Sequence, residues 1–179
     1  MESTRGQLLI AGPGLADPNF FRTVVLVIEH SEEGALGLVL NRPSQTTVGD
    51  VVSELDAVVE TGDPLWVGGP VAPSALILLA EFENAADAAL IAFADIGVIA
   101  TEAPDGPPPV RRGRAFAGHA GWGPGQLDAE LEREDWIVEP AVREDAFTST
   151  PDELWSAVLL RKGGSYALVA RMPPDPSVN

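Results

Sequence analysis

The stretch TVVLVIEHSEEGALGLVL, residues 23–40, sets the architecture of the chain. Residues 23–29 are β-branched and almost continuously apolar, the pattern of a strand covered on both faces. Residues 35–40 (ALGLVL) repeat it. Between them lies a short polar turn, His30-Ser31-Glu32-Glu33-Gly34, in which Gly34 is free to take positive φ. Two such runs joined by a short glycine-containing loop predict a β-hairpin. Upstream, residues 7–11 (QLLIA) predict a third buried strand, closed by the turn Gly12-Pro13-Gly14. Downstream, Asn41-Arg42-Pro43 stops the hairpin, because proline cannot donate to a ladder.

Further along, Thr47-Val48-Gly49-Asp50 reads as a variant capping box. Val51, Val52, Leu55, Val58 and Val59 follow at helical spacing, which predicts a helix over 48–60. Strands are expected at 65–67, 76–80, 96–100, 114–117 and 136–138. Residues 82–94 fit either a short helix or a loop feeding a strand. Residues 101–110, with four prolines, mark a surface loop. Helices are expected at 126–133 and from Pro151, where Thr150-Pro151-Asp152-Glu153 forms a capping box with proline at the first helical position. Leu154, Trp155, Val158 and Leu159 form the buried stripe of that last helix. Residues 166–172 favour helix over strand. The strands come in groups rather than alternating with helices. The expected fold is therefore α+β: one domain over 1–179, a mixed, largely antiparallel sheet with scope to curl toward a barrel, and flanking helices.

Eleven Lys and Arg face 27 Asp and Glu, a formal net charge of −16. Such a field repels phosphate polymers and anionic membranes. The densest basic group, Arg111, Arg112 and Arg114, reads as a solvated guard at a strand edge. We therefore expect no tight sequence-independent DNA binding. Titration of a labelled duplex at physiological salt checks this, and submicromolar binding would contradict it, since competent proteins bind nonspecific DNA at only about 10⁻⁴–10⁻⁶ M. The chain has no cysteine, so disulfides and thiolate chemistry are excluded. The apolar run Leu8–Ala11 is too short for a signal-peptide core. No stretch approaches the roughly 18 apolar residues of a membrane helix. A cytoplasmic protein without membrane contact is expected.

Signatures of catalysis are sparse. The sequence holds no G-x-S-x-G elbow, no phosphate-cradling G-x-x-x-x-G-K-[ST] loop, no H-E-x-x-H and no strict G-x-G-x-x-G. No cofactor, metal site or catalytic residue is assigned. Of the two histidines, His30 reads as part of a charged, solvated turn. His119 reads as a tethering hydrogen bonder or, alternatively, a general base. It lies in the segment Gly118 to Gln126, where four glycines and a proline surround Trp122. That segment is either a tight strand-to-helix connection pinned by Trp122 or a binding platform.

Several motifs taken together resemble the YqgE/AlgH family: residues 8–43, GGPV at 68–71, GHAGWGPGQLDAEL at 118–131, Leu154-Trp155 and the terminal DPSVN. The resemblance runs in order from about Gly6 to Asn179. It implies a bacterial cytoplasmic α+β protein, and it attaches a link to transcriptional regulation of alginate synthesis. It brings no catalytic residues. Two positions depart from the pattern: Ala80 stands where a histidine is expected, and His119 where many members have tyrosine.

The leading functional expectation is a non-enzymatic binding or regulatory module with a protein or small-molecule partner. The alternatives are a small-molecule enzyme using the His119/Trp122 loop and a transcriptional regulator acting without tight direct DNA binding. Asn41, Arg42, Gly68, Gly69, His119, Trp122 and Gln126 are the candidate binding residues. Each lies near a predicted strand end, where a rigid sheet can hold binding groups in place. In this reading Arg42 would grip a carboxylate or phosphate bidentately, Trp122 would supply an apolar wall and Gln126 a directional hydrogen bond.

Overall fold

The computed structural model describes residues 2–52, 55, 57–100 and 105–174. In chain order these form β1 (Gln7–Ala11), β2 (Val24–Ser31), β3 (Gly34–Val39), β4 (Pro43–Thr47), α1 (Val48–Val51), β5 (Pro64–Val67), β6 (Val71–Phe82), a 3₁₀ turn (Ala85–Asp87), β7 (Leu90–Phe93), β8 (Ile96–Val98), β9 (Val110–Trp122), α2 (Gln126–Glu132), β10 (Trp136–Pro140), α3 (Arg143–Ala146), α4 (Pro151–Lys162) and α5 (Tyr166–Val169). The strands make one ten-stranded sheet in the order β10-β1-β2-β3-β9-β6-β8-β7, with β5 paired to β9 and β4 to β5. Every pairing is antiparallel except β5 with β9. The α+β, mixed and largely antiparallel expectation therefore holds. The sheet curls until the Arg5 guanidinium reaches the Ile91 carbonyl on β7, but it does not close into a barrel.

The continuous apolar runs now have a physical reason. Strand side chains alternate between faces. Leu8, Ile10, Leu26, Ile28, Leu38 and Leu40 point to one layer, which α4 covers with Leu154, Trp155, Val158 and Leu159. Leu9, Val25, Val27 and Val39 point to the other, where Trp122, Leu127 and Trp136 cover them. Each such fully buried aliphatic side chain contributes about 1.5–3 kcal/mol. The β2–β3 hairpin forms as expected, with Ser31 opposite Gly34.

Several expectations need correction. The helix over 48–60 is only the four residues of α1, and Val52 is already extended at φ −141° and ψ 124°. Ser53, Glu54 and Asp56 of that expected helix lie outside the described residues. Valines are weak helix formers because their branched Cβ crowds the preceding turn. Here a turn on Leu55, whose carbonyl accepts from the N–H groups of Val58 and Val59, buries those two valines against Phe82 and Ala115 instead. Thr47 does meet Asp50, whose carboxylate accepts from its hydroxyl at 2.8 Å. Thr150 makes no side-chain cap, so its capping-box role is not realised, although the helix and its buried stripe are. β4 begins at Pro43 itself and was not foreseen. β6 starts five residues before the expected Leu76. β9 runs 13 residues, straight through Gly118 to Trp122, so His119 and Trp122 stand on a central strand rather than in a loop.

Candidate functional site

The glycine-rich segments serve backbone packing. Gly118 adopts φ +72° and Gly69 φ +151°, and their backbones touch. A Cβ on Gly69 would overlap the His119 carbonyl, and one on Gly118 would overlap the Gly69 carbonyl. Only glycine permits that approach. Gly68 links two strands: its N–H donates to Ala117 O, and its carbonyl accepts from Val39 N–H, both at 2.9 Å.

The seven candidate residues do not share one groove. Strand alternation sends His119 and Trp122 to opposite faces of β9. Trp122 is 7 % exposed. Its indole N–H donates to Glu130 Oε2 at 2.6 Å, and the Trp136 indole donates to the same oxygen at 3.0 Å. Phe20 stacks on Trp122 with ring centres 6.4 Å apart. Trp122 is thus core rather than an open wall. Gln126 accepts from Gly123 N–H at 3.0 Å and donates to Glu130 at 3.4 Å, so it closes its own helix start. His119 is half-buried opposite Val71, and its imidazole has no hydrogen-bond partner among the described residues. Burial lowers its pKa below the ordinary histidine value, because desolvation penalises the charged ring. An NMR titration should find His119 losing its proton below about 6.5; a midpoint above that value would contradict this environment.

His30 is not a solvated turn residue. It is buried, and the backbone N–H of Thr4 donates to Nδ1 at 3.1 Å. That bond leaves the ring proton on Nε2, which lies 3.7 Å from Asp128. His30 therefore straps the N-terminal segment to the hairpin. The three arginines are also not a free solvated group, because each is engaged by a side chain of its own. Arg111 pairs with Asp95 at 2.6 Å and Arg112 with Glu81 at 3.3 Å. Arg114 lies 4.1 Å over the Trp66 ring, and burial brings its pKa down to about 10.

Asn41 and Arg42 lead to a different place. The Asn41 side chain accepts from Val24 N–H at 3.0 Å and donates to the Arg22 carbonyl at 2.9 Å. It thereby pins Arg22 at φ +54°, a left-handed conformation that a non-glycine residue holds only when its surroundings over-determine it. Arg42 donates to the carbonyls of Asn19 at 2.7 Å and Phe21 at 3.0 Å, which clamps the same turn. Burial lowers the Arg42 pKa, and the field of Asp17 opposes that effect. Arg22 projects over the indole of Trp155, 4.2 Å from the ring centre, and donates to the Met172 carbonyl. On one side of Arg22 is a cleft of about 190 Å³ reaching Arg42 and the first turn of α4. On its other side is a hollow of about 220 Å³ bounded by Pro13, Ala16, Met172 and Pro173. Trp155 lines both. Beyond Gly12 and Pro13 a larger trough of about 700 Å³ runs past Trp136 to Lys162 and Tyr166.

Sequence reading found Asn41 and Arg42 but missed Arg22, Met172 and the outer face of Trp155. The only signal for them was the Gly12-Pro13-Gly14 turn, which was read as punctuation. Among the described residues no group of three or more His, Asp or Glu is placed to hold a metal ion, and no helix is long and apolar enough to cross a membrane.

A curled mixed sheet with helices on both faces and an arginine–tryptophan cleft at one end defines an α+β domain. A family model described as AlgH-like matches residues 8–167, and the chain belongs to that family. It is 40 % identical to a UPF0301 protein of Streptomyces coelicolor, covering 100 % of this chain and 97 % of that one. It is 41 % identical to a UPF0301 protein of Thermobifida fusca over 99 % and 96 % of the two chains. Among solved structures it is similar to protein DIP2367 from Corynebacterium diphtheriae, with TM-score 0.84, 30 % identity and coverage of 95 % and 93 %. It is also similar to the AlgH protein from Pseudomonas aeruginosa, with TM-score 0.72, 30 % identity and coverage of 97 % and 98 %.

Proposed function

We propose that this chain is a non-enzymatic binding module of the bacterial cytoplasm, and that it holds its protein or small-molecule partner in the clefts over Trp155. Of the seven candidate residues, Asn41 and Arg42 belong to that site; the other five lie elsewhere. One observation carries the reading. Arg22 and Arg42 meet at one cleft and give their hydrogen bonds to backbone carbonyls, while neither has a carboxylate within ion-pair distance among the described residues. This occurs in a chain with 27 acidic residues. A strained backbone, two guanidiniums and an indole held together at a surface hollow are costly to assemble for stability alone, and such features gather at ligand clamps.

Three of the groups that could perform acid–base chemistry are engaged in holding the fold together, and His119, which is not, has no titratable partner bonded to it among the described residues. His30 holds Thr4, and Glu130 accepts from two indoles. Asp145 is locked to Arg161 by paired bonds of 2.9 and 2.8 Å. The test is native mass spectrometry of protein purified from its own cell extract. Wild type should carry a bound partner that Ala16→Trp, which fills the hollow, does not carry. Equal loading of the two proteins would overturn the proposal.

A further inference from the structure

We infer that the two clefts flanking Arg22 form one site for an amphipathic carboxylate, its anionic head between Arg22 and Arg42 and its apolar body in the Pro13–Met172 hollow beside the rim of Trp155. The inference rests on the binding-module reading and names its ligand class. Each end of the site supplies a different chemistry. At the head, the Arg22 and Arg42 guanidiniums keep donors beyond those spent on Met172, Asn19 and Phe21, since each guanidinium carries five. A carboxylate meets such donors through charge-assisted, paired bonds. Asp152 in the first turn of α4 lines the same cleft, and Asp17 acts on Arg42 through space. Both reduce the local positive potential, so a singly charged head fits better than a multiply charged one. The N-terminal turn of α4 adds little, because Asp152 and Glu153 already occupy it.

At the body end the walls are Pro13, Ala16, Met172 and Pro173, and of the indole, which is 4 % exposed, only the rim reaches the hollow. They offer few polar partners, so only apolar matter gains there. Arg22 joins the two halves. Its guanidinium lies over the Trp155 ring at 4.2 Å, so a ligand passing from head to body follows the edge of that stack.

Isothermal titration calorimetry with octanoate, octanol and inorganic phosphate tests this. Octanoate should bind wild type more tightly than either other probe by at least about tenfold, the factor that one charge-assisted hydrogen bond supplies. Arg22→Gln, which leaves the backbone turn with its Asn41 bonds, should weaken octanoate by a similar factor. Ala16→Trp should abolish binding while leaving the denaturant midpoint in place. Octanol binding as well as octanoate, phosphate binding as well as octanoate, or octanoate binding unchanged in both variants would each overturn the inference. So would failure of octanoate on a wild-type protein that still carries a partner excluded by Ala16→Trp, and in that case the binding-module reading survives without its ligand class.

Discussion

Replacing Trp155 by alanine is expected to destabilise the protein by about 3–5 kcal/mol, the usual range for emptying a large buried aromatic site. Trp155 is 4 % exposed and packs in the layer that α4 lays over β1, β2 and β3. Its indole N–H donates to the Ala11 carbonyl at 2.9 Å, across 144 positions of sequence. The substitution removes the packing and that bond, and it leaves the Arg22 guanidinium without its ring. Urea melts followed by circular dichroism measure the loss. A change below about 1 kcal/mol would mean the helix does not dock as described, because surface changes typically stay within about 0.5 kcal/mol.

Asp145→Ala is expected to cost about 3 kcal/mol. Asp145 is 4 % exposed and accepts two bonds from Arg161 and one from Val142 N–H. Removing one partner of a buried pair costs about 3–5 kcal/mol, because the other charge is left without compensation. The lower end applies here, since the Arg161 side chain is 34 % exposed and can turn to water. The carboxylate also raises the Arg161 pKa, chiefly through these hydrogen bonds. Adding Arg161→Met to the alanine variant should recover part of the loss, and a double-mutant cycle reads the coupling directly. If the single variant melts like wild type, the pair is not buried as described.

The parts of this fold legible in the sequence are those dictated by local pattern. The β2–β3 hairpin and the stripe of α4 follow from periodicity alone, because period 2 and period 3.6 leave different marks on apolar spacing. The 48–60 segment misleads because its valines satisfy helical spacing while their branching favours extended backbone. Tertiary burial of Val58 and Val59 then decides the outcome. The glycines at 68–69 and 118–121 read as loops because glycine is turn-forming. Their actual role, two backbones pressed together where the β5–β6 connection meets β9, depends on a contact some fifty residues distant in sequence that no local window contains. His30 and Glu130 were opaque for the same reason. Each is polar by type and takes its role from partners brought in by the sheet. The candidate site was half legible: Asn41 and Arg42 stand out at a strand end, but Arg22 becomes notable only through its positive φ and its stacking on Trp155.

The proposed partner site is the pair of clefts at Arg22 and Trp155, away from the glycine-rich strand. Heteronuclear NMR of labelled protein, titrated with the small-molecule and protein fractions of native extract, tests it most directly. The expected result is that amide signals of residues 12–22, 41–42 and 172 shift together and saturate, and that Ala16→Trp abolishes the response. Saturable shifts centred instead on His119, Gly121 and Gln126, with residues 12–22 unmoved, would contradict it.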